Sequence, residues 1–146
     1  MISRKTKYGL QALIYLTKKY GKGPVLIAEL AKKERIPKKF LESILLVLKN
    51  KGILQSKKGK GGGYALARPP HAITMGEVIR VLEGPLAPVP CVRHTAYRKC
   101  EECRDENTCE IRMVMKQVRD AIANILDNTN LVDLVKGGKN VLSYVI

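Results

Sequence analysis

Apolar residues along this chain recur first at helical and then at alternating spacing. Leu10, Leu13 and Ile14, with Thr17, trace one face of a helix that ends at Gly21 and Gly23, both natural stop signals. A second short helix fits Ile27 to Glu34. Pro37 suits the first turn of a third helix, in which Leu41, Ile44, Leu45 and Leu48 recur at i, i+3, i+4 and i+7 until Gly52 ends it. The pattern then switches to period two. Ile53 to Ser56 and Tyr64 to Ala67 form two short runs around a Lys/Gly loop, and Pro69 and Pro70 close the second.

Three small helices followed by a hairpin with a basic tip are the winged helix-turn-helix order. The expected fold is therefore mainly α with a small β-hairpin. Thr74-Met75-Gly76-Glu77 has the form of a capping box and predicts a fourth helix to about Glu83. Pro85, Pro88 and Pro90 break the chain after it. Beyond Cys109 a long amphipathic helix is predicted to about Asp127, with Ile111, Val114, Val118, Ala121 and Ile125 on one stripe and Met115, Ile122 and Leu126 widening it. So broad a stripe suits two contacts at once, one with its own domain and one with a second copy. A last helix is predicted at Leu131 to Val135. The chain thus divides into a winged helix-turn-helix DNA-binding domain (1–84), a cysteine-rich loop (85–109), a dimerisation helix with a short packing helix (110–136) and a tail (137–146).

Charge sharpens this division. Residues 1–70 hold 17 Lys and Arg against three acids, an excess of 14 that equals the net charge of the whole chain; residues 71–146 hold ten of each. A basic excess confined to one half is what a polyanion-binding surface requires, because phosphate neutralisation dominates nucleic-acid affinity. The N-terminal stretch has no uninterrupted apolar run and no cleavage-site pattern, so a cytoplasmic protein without a membrane span is expected.

Within the basic half, Lys38, Lys39, Glu42 and Ser43 lie on the first turns of the third helix, away from its leucine stripe. Lys38 and Lys39 suit phosphates or guanine acceptors, Glu42 can accept from cytosine, and Ser43 is adaptable. Leu46 and Val47 also lie partly outside the stripe, with a place beneath the hairpin expected for them. On the hairpin, Lys57, Lys58 and Lys60 among glycines allow ammonium groups and backbone amides to approach phosphates; Gly61 and Tyr64 complete the candidate DNA face. A dinucleotide site is excluded, because this glycine loop leads into a strand rather than a helix, and no Walker Gly-Lys-Ser/Thr follows.

All four cysteines, Cys91, Cys100, Cys103 and Cys109, fall in one polar segment, "CVRHTAYRKCEECRDENTCE". Thiols in such a setting are not core fillers. A chain of 146 residues can bury a core without disulfides, so metal ligation or redox sensing is the better expectation. Zinc, an iron-sulfur cluster and a thiol-disulfide switch all suit four thiols; zinc sites usually bring two Cys-x-x-Cys pairs where this chain has one, and a cluster tolerates irregular spacing. A thiol oxidoreductase is disfavoured because no parallel strands accompany Cys100 and Cys103. No enzyme is expected.

The succession "LESILLVLKNKGILQSKKGKGGGYALAR", then "TMGEVIRVLEG", then clustered cysteines before a long helix, resembles the iron-sulfur cluster regulator family of bacterial winged-helix transcription factors (IscR/NsrR/RirA-like) over about residues 1–135. The most specific part is Gly61-Gly62-Gly63-Tyr64 followed by Gly76-Glu77-Val78-Ile79. The resemblance implies a homodimer built on the long helix, double-stranded DNA with a dyad-symmetric operator as partner, and a 2Fe-2S cluster in the loop before that helix. It also implies three cysteine ligands, the last two separated by five residues, which selects Cys103 and Cys109, with Cys91 as the first. Here the gap from Cys91 to Cys103 is longer than usual and Cys100 is extra. IscR-like members place a histidine where this chain has Arg112, and NsrR-like ones use an N-terminal acid where the first acid here is Glu29. Cys100 is the expected fourth ligand, with His94 second. The function so implied is transcription regulation in which loss, oxidation or nitrosylation of the cluster changes operator affinity.

Overall fold

The computed structural model describes residues 2–137. Of the expected tail, residues 138–146 lie outside them. The elements run α1 (Arg4–Lys18), α2 (Ile27–Glu34), α3 (Lys38–Asn50), β1 (Leu54–Lys57), β2 (Gly63–Leu66), α4 (Met75–Leu82), α5 (Glu110–Asp127) and α6 (Leu131–Val135). Single 3-10 turns lie at Pro70–Ala72, Pro90–Val92 and Glu106–Thr108. This is the winged-helix order that the apolar pattern predicts.

Local chemistry sets the ends of these elements. α1 starts ahead of its apolar stripe because the Ser3 hydroxyl accepts from the Thr6 N–H at 3.3 Å. α2 ends where Arg35 takes a left-handed conformation, φ 55°, and Pro37 then stands as the cap of α3 rather than inside its first turn. Thr74 caps α4, accepting from the Glu77 N–H at 3.1 Å. The Glu77 carboxylate pairs with Arg68 instead, so half of the predicted capping box forms. A complete one, not anticipated, joins Asn130 and Asp133 at the start of α6.

One apolar core joins these helices. Leu41, Ile44, Leu45 and Leu48 of α3 are fully buried, against Leu13 and Leu16 of α1, Leu30 of α2, Ile53, Ile73 and Val78. Burying each such side chain stabilises the fold by about 1.5–3 kcal/mol. Val47 packs at the edge of this core, whereas Leu46 stays half exposed. Leu131 of α6 is also fully buried in it, so the chain returns to the winged-helix body after α5. Two backbone bonds fasten that return, Met75 N–H to the Thr129 carbonyl at 2.7 Å and Leu131 N–H to the Ile73 carbonyl at 3.0 Å.

The hairpin pairs Leu54 with Leu66 through to Lys57 with Gly63. A third segment joins it: Val25, just ahead of α2, exchanges both backbone bonds with Tyr64 at 2.8 Å. Gly63, at φ 142°, makes this possible, since a Cβ there would collide with the Val25 carbonyl. The hairpin is thereby locked to the start of α2.

α5 differs from every other long helix in having no fully buried residue. Met115, Ile122 and Leu126 are half-buried, with Leu126 packed against the core, while Ile111, Val114 and Val118 are exposed, Ile111 by 71%. Its end is bolted to α4 by Arg80, which donates to both Asp127 oxygens at 2.6 and 2.9 Å. Gly76 gives that carboxylate room, because a Cβ would strike Asp127 Oδ1. Among the described residues no helix is long and apolar enough to cross a membrane.

Candidate functional site

Two sites form, at different places in the fold. The first is a groove of about 470 Å³ between α3, the hairpin and the start of α2. Lys38 and Glu42 of α3 line it together with Lys57, Lys58 and Tyr64 of the hairpin, so five of the nine residues expected to face DNA converge there. Lys39, Ser43, Lys60 and Gly61 do not line it: Lys39 and Lys60 are exposed beside it, and the Ser43 hydroxyl donates back to the Phe40 carbonyl at 2.9 Å.

The groove also contains residues that the sequence reading missed. Lys49, near the end of α3, adds a cation, and Leu26, Ile27 and Ala28 bring in the start of α2. Leu26 offers no side-chain cap, which leaves the first N–H groups of α2 without a side-chain partner. Free helix N-terminal amides suit phosphate. The signal was in the sequence: "PVLIAEL" opens a helix without Ser, Thr, Asp or Asn ahead of it. Glu42 is the one acid lining the groove.

The second site is a cavity of about 460 Å³ at the head of α5. Cys91, Cys100 and Cys109 all line it. Cys103 does not, but its thiol lies near enough to Cys100 and Cys109 to feel their charge; desolvation is the main cause that pushes it up, with Lys99 opposing. Cys109 caps α5, its sulfur accepting from the Arg112 N–H at 3.4 Å. All four thiols are free, and Cys100 alone among them is exposed. His94 sits elsewhere, beside Arg80 and Arg119 in a smaller cavity.

Guanidinium groups of α5 hold this loop. Arg112 Nε donates to the Cys91 carbonyl at 3.3 Å, and Arg119, two turns on, donates to the next carbonyl, Val92, at 2.9 Å. The Val92 side chain is buried, and it stands in the 3-10 turn that packs on α5. Tyr97 donates to Glu106, whose hydrogen bond pushes the phenol up, and Glu106 lies 3.9 Å from the Arg112 guanidinium. The loop is therefore tied to α5 by charge and hydrogen bonds rather than by a core of its own.

As to a metal or cluster, four soft thiolates in one loop, three of them around one cavity, are a donor set that fits iron-sulfur or zinc. Among the described residues no group of three or more His, Cys, Asp or Glu converges tightly enough to hold a single metal ion.

Comparison with known proteins places these features. The Rrf2 family model, described as iron-dependent transcriptional regulators, matches residues 2–137. The transcriptional regulator CymR of Bacillus subtilis is 39% identical over 133 residues, covering 91% of this chain and 88% of CymR. The solved structure of CymR, described as the global cysteine regulator of B. subtilis, superposes with a TM-score of 0.78 at 37% identity, covering 93% of this chain and 96% of that one. The structure of T. potens IscR follows with a TM-score of 0.74 at 30% identity, covering 97% and 90%.

Proposed function

This chain belongs to the Rrf2 family of transcriptional regulators, and we propose that within it the cysteine loop carries a 2Fe-2S cluster that sets how tightly a homodimer binds a dyad-symmetric operator. One observation carries the reading: three thiols from a single loop line one cavity, and that loop is tied to α5, the helix bolted at its far end to the DNA-binding body. Its relatives are regulators and not enzymes. The family model's iron dependence and the likeness to IscR support a cluster, and the likeness to CymR, described as a cysteine regulator, supports a link to sulfur chemistry. The protein acts in the cytoplasm, where thiols stay reduced.

Cys91, Cys103 and Cys109 would hold the cluster with Cys100 as the fourth ligand; three of these thiols line the cavity, and Cys103 lies close to Cys100 and Cys109. When bound, the cluster supplies a group whose oxidation, loss or nitrosylation changes the charge and ligation of the loop. The chain's own residues do the rest. Arg112 and Arg119 grip the main chain at Cys91 and Val92, so a change in the path of the loop moves carbonyls bonded to α5. Ile111, Val114, Val118, Ala121 and Ile125 form the seam with the second copy, and Asp127 passes the position of α5 to α4 through Arg80. Two α3 helices must reach half-sites about 34 Å apart, so a modest rotation along this route prevents them from docking together. In the groove Lys38, Lys57 and Lys58 take phosphates, with Lys39 and Lys60 doing so from its exposed flanks, while Glu42 and Tyr64 inside it and Ser43 and Gly61 outside it serve bases and sugars.

The test is anaerobic purification followed by absorption spectroscopy, iron, sulfide and zinc assays, and operator affinity of the loaded and stripped forms. Two irons and two sulfides per chain, visible bands and unequal affinities are expected. Zinc alone would replace the cluster with a structural metal. Empty thiols that take up no iron and sulfide would end the cluster reading altogether.

A further inference from the structure

The cavity at the head of α5 carries charges that four thiols do not need. Arg98 and Lys99 stand on its wall with Glu101 and Glu102, on either side of Cys100 in the chain. Among the described residues none of these four is engaged in an ion pair. Cys100 is also the exposed thiol of the set, at the start of a turn closed by the Cys103 N–H on the Cys100 carbonyl at 3.1 Å. A cavity of about 460 Å³ lies within the range of small-molecule sites. The residues lining the cavity thus include cations for a carboxylate, anions for an ammonium and, between them in the chain, an accessible sulfur.

We propose that, when the loop holds no cluster or metal, this cavity is a thiol-disulfide exchange site for zwitterionic low-molecular-weight disulfides, amino-acid disulfides of the cystine type, with Cys100 as the attacking group. The Cys100 thiolate attacks one sulfur of the bound disulfide. A new S–S bond forms between Cys100 Sγ and that half, the ligand's own S–S bond breaks, and the other half leaves with the electron pair as a thiolate that then takes up a proton. The disulfide is the oxidant, and each exchange consumes one. The charged wall selects the ligand: Arg98 and Lys99 face its carboxylate, Glu101 and Glu102 its ammonium. Modified Cys100 can no longer act as a metal ligand, so the amino-acid disulfide and the cluster compete for one loop.

The full chain, stripped of metal, reduced and desalted, is exposed to cystine, to cystamine, which carries ammonium groups alone, and to dithiodipropionate, which carries carboxylates alone. Intact-mass spectrometry follows the adducts, and each rate is divided by the rate for the same chain unfolded in urea, which removes the intrinsic reactivity of each reagent. Cystine is expected to give one adduct that maps to Cys100, disappears with dithiothreitol and is absent from Cys100→Ser. Its normalised rate should exceed that of either single-charge reagent by about two- to fivefold, the factor that exposed ion pairs supply. Glu101→Gln with Glu102→Gln should reduce the advantage over dithiodipropionate while leaving the Cys100 adduct in place. Equal normalised rates, an adduct on another cysteine, or a Cys100–Cys103 bridge formed without an adduct would each overturn the proposal. Because the chain is metal-free, the outcome is independent of whether the cluster reading stands.

Discussion

The winged-helix body and the cysteine loop are held together by opposite means. The body has the α3 leucines fully buried against α1, α2 and α6, so its shape follows from apolar surface removed from water. Between Cys91 and Cys109 the loop buries one apolar side chain fully, Val92, and takes its shape from Arg112, Arg119 and the Tyr97–Glu106 contact. Apolar packing is hard to deform in small steps. Polar tethers can be remade one at a time, which suits the loop of the switch proposed above.

The largest effect expected of this difference is on stability. Leu45→Ala, which empties a fully buried site in α3, should destabilise the chain by about 2–5 kcal/mol in denaturant unfolding, whereas Cys100→Ser, on the exposed loop, should stay within about 0.5 kcal/mol of the parent. Equal losses in the two variants would erase the distinction between packed body and tethered loop. Next comes the DNA face: replacing Lys57, Lys58 and Lys60 together by Ala should lower the slope of log affinity against log salt by roughly 0.9 for each lost phosphate contact, with the unfolding midpoint unchanged. An unchanged slope would take the hairpin out of the interface. A smaller effect is expected at Arg119, a charged donor to the Val92 carbonyl. Arg119→Ala should cost about 1.5–3 kcal/mol. Faster amide exchange should appear at residues 91–93, while the core of α3 stays as protected as in the parent.

The same contrast explains what could be read in advance. Leu41, Ile44, Leu45 and Leu48 announce their helix and its buried face because period and burial are the same fact seen in sequence and in space. The span of α2 and that of α6 follow equally directly. The Val25–Tyr64 pairing is not legible, since it joins two segments that each look like a loop edge, although Gly63 marks the close approach. Neither is the Arg112–Cys91 bond, because a guanidinium on an amphipathic helix carries no sign of which carbonyl it will meet. At the site, the four thiols are visible as a cluster in sequence, yet which three share a cavity depends on how the loop folds back on α5. Cys103, in the Cys-x-x-Cys pair, is the one left off that wall.

The smallest effect, and the most specific to the route between the two regions, belongs to Arg80 and Asp127. The guanidinium holds the Asp127 carboxyl below its ordinary value, chiefly through the hydrogen bonds it donates. A depressed folded-state value means that the pair stabilises the fold above the unfolded carboxylate value of about 3.9, and that this contribution is lost as pH falls through the lower folded value. Both side chains are close to half exposed, so solvent screens the pair and its contribution should be no more than about 1 kcal/mol. Asp127→Asn should therefore unfold slightly earlier than the parent at neutral pH, with the two curves converging in strong acid and drawing closer in high salt. If α5 reports to the DNA-binding body through this contact, the same variant should reduce the difference in operator affinity between cluster-loaded and stripped protein, with both forms still able to bind. A difference that survives intact in Asp127→Asn would move the coupling to the other fastening between these regions, the backbone bonds from Met75 N–H to the Thr129 carbonyl and from Leu131 N–H to the Ile73 carbonyl.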